Sequence, residues 1–433
     1  MDILTANDRV GAYPASYYAA TVTALAPFEP AAGALTCDVC IIGAGFTGLS
    51  AALHLGEAGY DVILLDAHRV GFGASGRNGG QVGVGQRMDQ AQLEKIVGRD
   101  HARDLWNLSL ESVQLVRDRI AAHDIDCGFA DGIIHADHRA RFVPDSHAYA
   151  RKLQDEYDYG LIRPVDREEM RSLVGSPAYH GGTLDMGGGH IHPLRYAFGL
   201  AKAVAACGAR IFECSRVTHI EETAPARIST GKADITAAHV ILACNGYLGH
   251  LNDEVAGRVM PINNFIIATE PLDDQHARSL IRDNHAVADS KFVINYFRLS
   301  EDRRMLFGGG ESYGYRFPSD IGKLVRKPML DIYPQLQDVR IDYAWGGTLG
   351  ITMNRMPHFA RLRGNILCAS GYSGHGVAMA TLGGKLAAEA IAGQAERFDL
   401  MASVPTQRFP GGAALRWPLL VLAMVWFSLR DRL

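Results

Sequence analysis

Gly43, Gly45 and Gly48 stand in the spacing G-x-G-x-x-G, directly after the apolar run TCDVCII (36–42) and directly before the helix-like segment FTGLSAALHLGEA (46–58). The three glycines serve separate purposes, namely a tight turn, room for a pyrophosphate against bare backbone, and close packing of helix on strand. The free N–H groups and the dipole at the helix start, Phe46 and Thr47, favour phosphate. Asp66, followed by Ala67, ends the second apolar run YDVILLDA, 23 positions after Gly43. A carboxylate there accepts hydrogen bonds from ribose hydroxyls and disfavours a 2′-phosphate. Strand, turn, helix, strand and acid in this order predict an adenine dinucleotide, with NADP the least suited.

A second glycine-rich loop, RVGFGASGRNGGQ (69–81), follows at once, where a nicotinamide dehydrogenase would run on to its third strand. Ser75, Arg77, Asn78 and the backbone of Gly79 and Gly80 offer donors to phosphate, to ribityl hydroxyls and to an isoalloxazine edge, so FAD is favoured over NAD. Late in the chain, Gly371, Gly374 and Gly376 open a final helix. Its backbone N–H groups and positive end suit the electron-rich edge of a flavin, which gains negative charge on reduction. His375, inside this turn, acts electrostatically there or caps the helix.

From PASYYAAT (14–21) through CDVCIIGAGFTGLSAALHL, GFGASGRNGGQ, GGGHIHPLRYA (187–197), VILACNGYLG (240–249) and ASGYSGHGVAMATLGGKLAAEA (369–390) to FPGGAALR and FSLRDRL, the chain resembles the FAD-dependent D-amino-acid oxidase superfamily. Within it, the likeness is to the gamma-glutamylputrescine oxidoreductase branch. The resemblance implies an amine-oxidising flavoenzyme. Its small-molecule amine substrate delivers hydride to flavin N5, and the imine hydrolyses to an aldehyde. Oxygen or another acceptor takes the electrons. A D-amino-acid or secondary-amine dehydrogenase feeding a quinone is the alternative. The resemblance also brings Val217, and the strand end Ala243, Asn245 and Gly246, close to the dinucleotide. Sarcosine oxidases of the superfamily hold flavin through a cysteine shortly before their counterpart of MPHF; residues 346–355 contain none, so noncovalent FAD is expected. The lysine that assists oxygen in those relatives is also missing.

Amine oxidation needs accurate placement of a neutral amine more than a dedicated base. Tyr296 and Arg298, two apart on an expected strand, share one face. Arg298 suits a substrate carboxylate through its planar fork, and Trp345 ends a strand before Gly346 and Gly347; all three are candidates to touch substrate or flavin, with core or rim packing the alternative. His190 and His192 lack the further ligands a metal needs; no metal is expected, and the pair is structural or one of them, His190 or His192, stands on the active-site face.

The elements that position these groups read as a mixed α/β fold: a Rossmann-like FAD-binding domain (36–90, 187–255 and 345–398) interleaved with an antiparallel-sheet substrate domain (91–186 and 256–344), then an apolar tail (399–433). Helices are expected over 91–123 and 145–175, and short strands from 259 to 343. Lys plus Arg number 43 against 47 Asp plus Glu, which gives no reason to expect nucleic acid or an anionic membrane as partner. Seven cysteines, an odd number, do not resemble an oxidised scaffold. Cys37 and Cys40, three apart on a strand, are expected on opposite faces. The first thirty residues lack a secretory signal, so the expected location is cytoplasmic. WPLLVLAMVWFSL (417–429) is too short to span a bilayer and reads as a covering helix, with interfacial docking the lesser alternative.

Overall fold

The structure, a computed structural model, describes residues 2–312 and 314–412. The first glycine motif folds as the sequence implies. Strand β1 (Gly33–Ile42) leads into helix α1 (Phe46–Glu57), and the chain returns as β2 (Val62–Leu65). β2 lies parallel to β1, in register from Val39–Val62 to Ile42–Leu65. All four β2 residues are buried, as a parallel strand covered on both faces requires. Strand β3 (Ala233–Leu242) runs parallel to β1 on its other side, and β4 (Ile366–Ser370) runs parallel to β3. The main path of this sheet is His358–Arg363, β4, β3, β1, β2, Arg210–Phe212. The carboxyl ends of five parallel strands, Arg210–Phe212 included, therefore share one edge, where ligands of such sheets bind.

Helix α2 (Gly376–Ile391) follows β4 and packs beside α1. The two backbones nearly touch. A Cβ on Gly384 would stand 2.2 Å from the carbonyl oxygen of Thr47 and 2.6 Å from the Ala51 nitrogen. This close approach ties the two helix starts to one geometry.

The second sheet runs Ile341–Ile351, Met260–Thr269, Met305–Ser312, Tyr296–Leu299, Ala286–Asp289, Ala130–Ala136, Gly182–His190, Gln81–Val82, with Ile162–Val165 paired to Gly182–His190. It has its own apolar core around Phe265, Phe297, Phe307 and Tyr333. The pairing is antiparallel as expected, save that Ala286–Asp289 and Ala130–Ala136 run parallel.

Several expectations shift. Residues 187–190 and 345–351, assigned from sequence to the nucleotide domain, belong to strands of the second sheet. Helix 91–123 divides at Gly98, φ +84°, into Gln90–Val97 and Arg99–Ala122. The segment 145–175 is helix, strand, helix: Val143–Tyr157, Ile162–Val165 and Arg167–Leu173. Cys37 and Cys40 face one apolar cluster, not two. The N–H groups of Asp38 and Val39 both bond the Asp61 carbonyl, and the alternation of β1 reverses at this irregularity. No helix among the described residues is long and apolar enough to cross a membrane; the stretch 417–429 lies outside them.

Alanine is a better helix former than glycine by about 1 kcal/mol, yet at Gly384 the added methyl meets backbone that cannot move aside. Gly384→Ala is expected to destabilise by about 1–3 kcal/mol, measured as a melting temperature lowered by several degrees. A higher melting temperature would contradict the close helix packing.

Candidate active site

A cavity of about 840 Å³ opens where the carboxyl edge of the first sheet meets the second. At one end stands the first glycine turn. Gly43 adopts φ +109°, and a Cβ there would lie 2.7 Å from the Ala243 carbonyl oxygen. Gly48 is set behind the lining: its Cβ would fall 1.9 Å from the Gly43 oxygen, so it serves the close approach of α1 to β1. Gly45 is the extended N-cap of α1 and supplies no side-chain cap. Instead Ser75, from the second loop, accepts a hydrogen bond from Phe46 N at 2.9 Å. Thr47 lines the cavity beside them.

Asp66 lines the same end, with Ala67. Its oxygens accept from Ala44 N at 2.8 Å and His68 N at 2.7 Å. Burial raises its carboxyl to about 6 against the effect of these two bonds. Each oxygen keeps a further lone pair for a hydroxyl. Val217, Ala243, Asn245 and Gly246 also line the cavity. Asn245 holds φ +46°, and its Oδ1 accepts from Gly371 N at 2.9 Å. Gly371 itself, φ +76°, turns the chain from outside the lining; a Cβ there would meet Thr352 Cγ2 at 2.6 Å.

The second loop is braced from within. Asn78 donates to the Ala74 and Ser75 carbonyls and accepts from Gly80 N. Arg77 donates to the Phe72 carbonyl at 2.7 Å, pairs with Asp8 at 3.1 Å and lies over the Phe72 ring. Its Nη2 is buried with no partner among the described residues. Gly79 lines the cavity against the Tyr296 ring, whereas Gly80 does not line it. A Cβ on Gly80, φ +80°, would lie 2.1 Å from the Ile191 oxygen.

Three residues assigned from sequence to substrate stand behind this loop instead. Arg298 is buried; its Nε bonds the Gly79 carbonyl at 2.7 Å and its Nη2 the Ile191 carbonyl at 2.9 Å and the Tyr18 hydroxyl at 3.2 Å. A fork already filled by these groups has no room for a carboxylate. Trp345 is buried and donates Nε1 to the Arg77 carbonyl at 3.0 Å. His190 bonds the Asn284 carbonyl through Nε2 at 2.7 Å; it too lies outside the lining. His192 caps the helix Pro193–Ala206.

At the other end, Ser373 (φ +53°) and Gly374 (φ +87°) carry the chain into α2, whose N-cap His375 makes no side-chain cap bond. Gly374, His375 and Gly376 line the cavity. Burial, then the charge of Arg87, lowers His375 to about 4, so its ring is neutral at neutral pH. The Nε2 of His375 has no partner among the described residues. Tyr296 lines this end and donates its hydroxyl to Asn264 Oδ1. Arg87, His135, Phe292, Ile294 and Arg355 line it as well. None of these stands in a recognisable motif. Nor does the N-terminal segment, where Asp2 pairs with Arg216 and the Leu4 carbonyl meets His68 Nε2 at the Asp66 end.

The profile of the family described as FAD dependent oxidoreductase, DAO, matches residues 38–390. The chain belongs to this family. It is 44% identical over 428 residues to gamma-glutamylputrescine oxidoreductase of Escherichia coli (strain K12), covering 97% of this chain and 99% of that one. It is 41% identical to probable oxidoreductase OrdL of Rhizobium meliloti (strain 1021), over 96% and 97% of the two chains. Among solved structures, glycine oxidase from Geobacillus kaustophilus superposes with a TM-score of 0.73 at 19% identity, covering 86% of this chain and 99% of that one. L-proline dehydrogenase from P. horikoshii reaches 0.67 at 20%, covering 85% and 94%. The oxidoreductase is thus an FAD-dependent enzyme acting on amine or amino-acid CH–NH donors. Its cavity fits that cofactor: two helix starts without their own side-chain caps, an unpartnered buried nitrogen on Arg77, and bare backbone at Gly45.

Because Arg298 props the second loop, Arg298→Met leaves buried carbonyls without donors, at about 1–3 kcal/mol each. The variant should lose FAD affinity and thermal stability together. In whatever holoenzyme remains, KM should change by less than about threefold, since Arg298 holds loop backbone and not substrate. A large selective rise in KM with normal stability would contradict this placement.

Proposed function

We propose that this oxidoreductase oxidises the primary amine of a gamma-glutamylputrescine-like substrate, using noncovalently held FAD, with oxygen as final acceptor. The observation that carries the reading is the 44% identity to gamma-glutamylputrescine oxidoreductase over 97% of this chain and 99% of that one. The proposed domain division assigns 36–90, 187–255 and 345–398 to cofactor and 91–186 and 256–344 to substrate, with the strands of 187–190 and 345–351 shared across their border.

When bound, FAD supplies the two-electron acceptor for hydride leaving the amine's α-carbon. The carbon–nitrogen bond becomes a double bond as a nitrogen proton passes to water; hydrolysis then yields aldehyde and ammonia. Oxygen takes up the two electrons and two protons as hydrogen peroxide. Gly43, Gly45, Phe46, Thr47 and Arg77 hold the pyrophosphate; Asp66 and Val217 hold the adenosine. Ser75, Asn78, Gly79, Ala243, Asn245 and Gly246 shape the passage between the two ends. The α2 start at Gly374–Gly376 and neutral His375 stabilise negative charge arriving at the reactive end. Tyr296, fixed by Asn264, supplies a wall against which the amine is placed. Cys244 lines the cavity, but its thiol donates to the Ile42 carbonyl and burial raises its pKa far above the thiol range. That is a poor site for a thiolate attachment to flavin.

Anaerobic mixing of the yellow holoenzyme with a panel of amines tests the reading. Gamma-glutamylputrescine should bleach the flavin, and under oxygen one peroxide should form per amine consumed. Failure of the panel to bleach the flavin would overturn it; bleaching without peroxide would overturn oxygen as acceptor.

A further inference from the structure

The reactive end of the cavity holds a cation whose counter-charge is missing. Arg87 follows the short strand Gln81–Val82 and donates Nε to the Ser373 carbonyl at 3.3 Å, in the turn that opens α2. Among the described residues neither of its Nη nitrogens has a hydrogen-bond partner, and no carboxylate pairs with it. The other cavity arginines differ: Arg77 has Asp8, Arg216 has Asp2, and Arg355 lies against Phe292. Arg87 is exposed, and it is among the residues that line the cavity.

One neighbour adds to its charge. Arg355 acts on it electrostatically; burial and then Arg87 hold His375 neutral, and His135, lowered by burial, feels Asp185, Arg87 and Asp137. Among the described lining residues the acids are Asp2 and Asp66, both at the adenosine end. A like charge beside a guanidinium carries a cost. A ligand carboxylate offsets that cost through a two-bond fork.

We propose that Arg87 is the substrate-carboxylate receptor, selecting amines that carry a carboxylate over diamines that do not. The inference rests on the function proposed above and gives Arg87 the role that the sequence pattern suggested for Arg298. A free diamine brings only positive charge to a positive wall. A gamma-glutamyl amine brings an anion to Arg87, while its methylene chain lies along Phe292 and Ile294. The same positive field favours the neutral amine that hydride loss requires.

The test compares wild-type holoenzyme with Arg87→Gln and Arg87→Lys, matched for FAD content and melting temperature. The substrates are gamma-glutamylputrescine and its counterpart with the carboxylate replaced by carboxamide. Wild type should prefer the carboxylate by about 30-fold in kcat/KM. Arg87→Gln should shrink this preference to within about threefold, mainly through KM, and Arg87→Lys should retain part of it. Binding of glutarate, a carboxylate that cannot be oxidised, is followed independently by its perturbation of the flavin spectrum. It should be lost in Arg87→Gln, with glutaramide the neutral control. Retention of the carboxylate preference by Arg87→Gln, or equal binding of glutarate and glutaramide by wild type, would overturn the receptor. If no amine reduces the flavin but glutarate binds only when Arg87 is present, the amine reading fails and the receptor stands.

Discussion

Two helices begin at one cavity without side-chain caps of their own, and the rest of the site follows from that fact. The α1 start at Gly45 and the α2 start at His375 present the positive ends of two dipoles and a set of backbone donors. Such an arrangement is satisfied by a ligand with negative charge at two separated places. A dinucleotide that carries a pyrophosphate at one end and an electron-rich ring at the other has that distribution. The packing of Gly384 on Thr47 and Ala51 sets the spacing of the two helices. A hydrogen bond of 2.7 Å between Thr47 Oγ1 and the Tyr372 hydroxyl repeats the link near their starts.

The second glycine loop completes the cradle by crossing between the sheets. Ser75 caps the helix of the first loop, while Arg298, Trp345 and Gly346 hold the second loop from behind. The two sheets are therefore coupled through the cofactor-binding backbone itself. Cavity residues such as Tyr296, which packs on Gly79, inherit their position from the same brace. In the proposed reaction, chemistry at the His375 end depends on electrostatics more than on a base: a neutral histidine, a helix start and an arginine without a counter-charge among the described residues.

The nucleotide-binding half of this arrangement is legible in the sequence because its chemistry requires glycine at fixed offsets and an acid at a strand end. Gly43, Gly45, Asp66, Ser75, Arg77, Asn245 and His375 all line the cavity. Gly48, Gly80 and Gly371 are constrained positions as their motifs imply, but their constraint is backbone against backbone or neighbouring side chain. The substrate half is not legible by pattern. Arg298 and Tyr296 share strand parity, yet Arg298 is consumed by carbonyls behind the loop, which only the tertiary pairing reveals. Arg87 sits in VGQRMDQ with nothing to mark it, and the role proposed for it rests on the cavity it lines and on having no carboxylate partner among the described residues. The reversal of alternation at Asp38 likewise depends on the Asp61 carbonyl, an interaction between strands.

The most direct measurement is a calorimetric titration of the apoprotein with FAD and, separately, with riboflavin, which has the ring but no phosphate. If the uncapped helix starts anchor the cofactor, FAD should bind with a stoichiometry of about one and at least about a hundredfold more tightly than riboflavin. Equal affinity for the two would contradict the account, because the pyrophosphate would then contribute nothing at the start of α1.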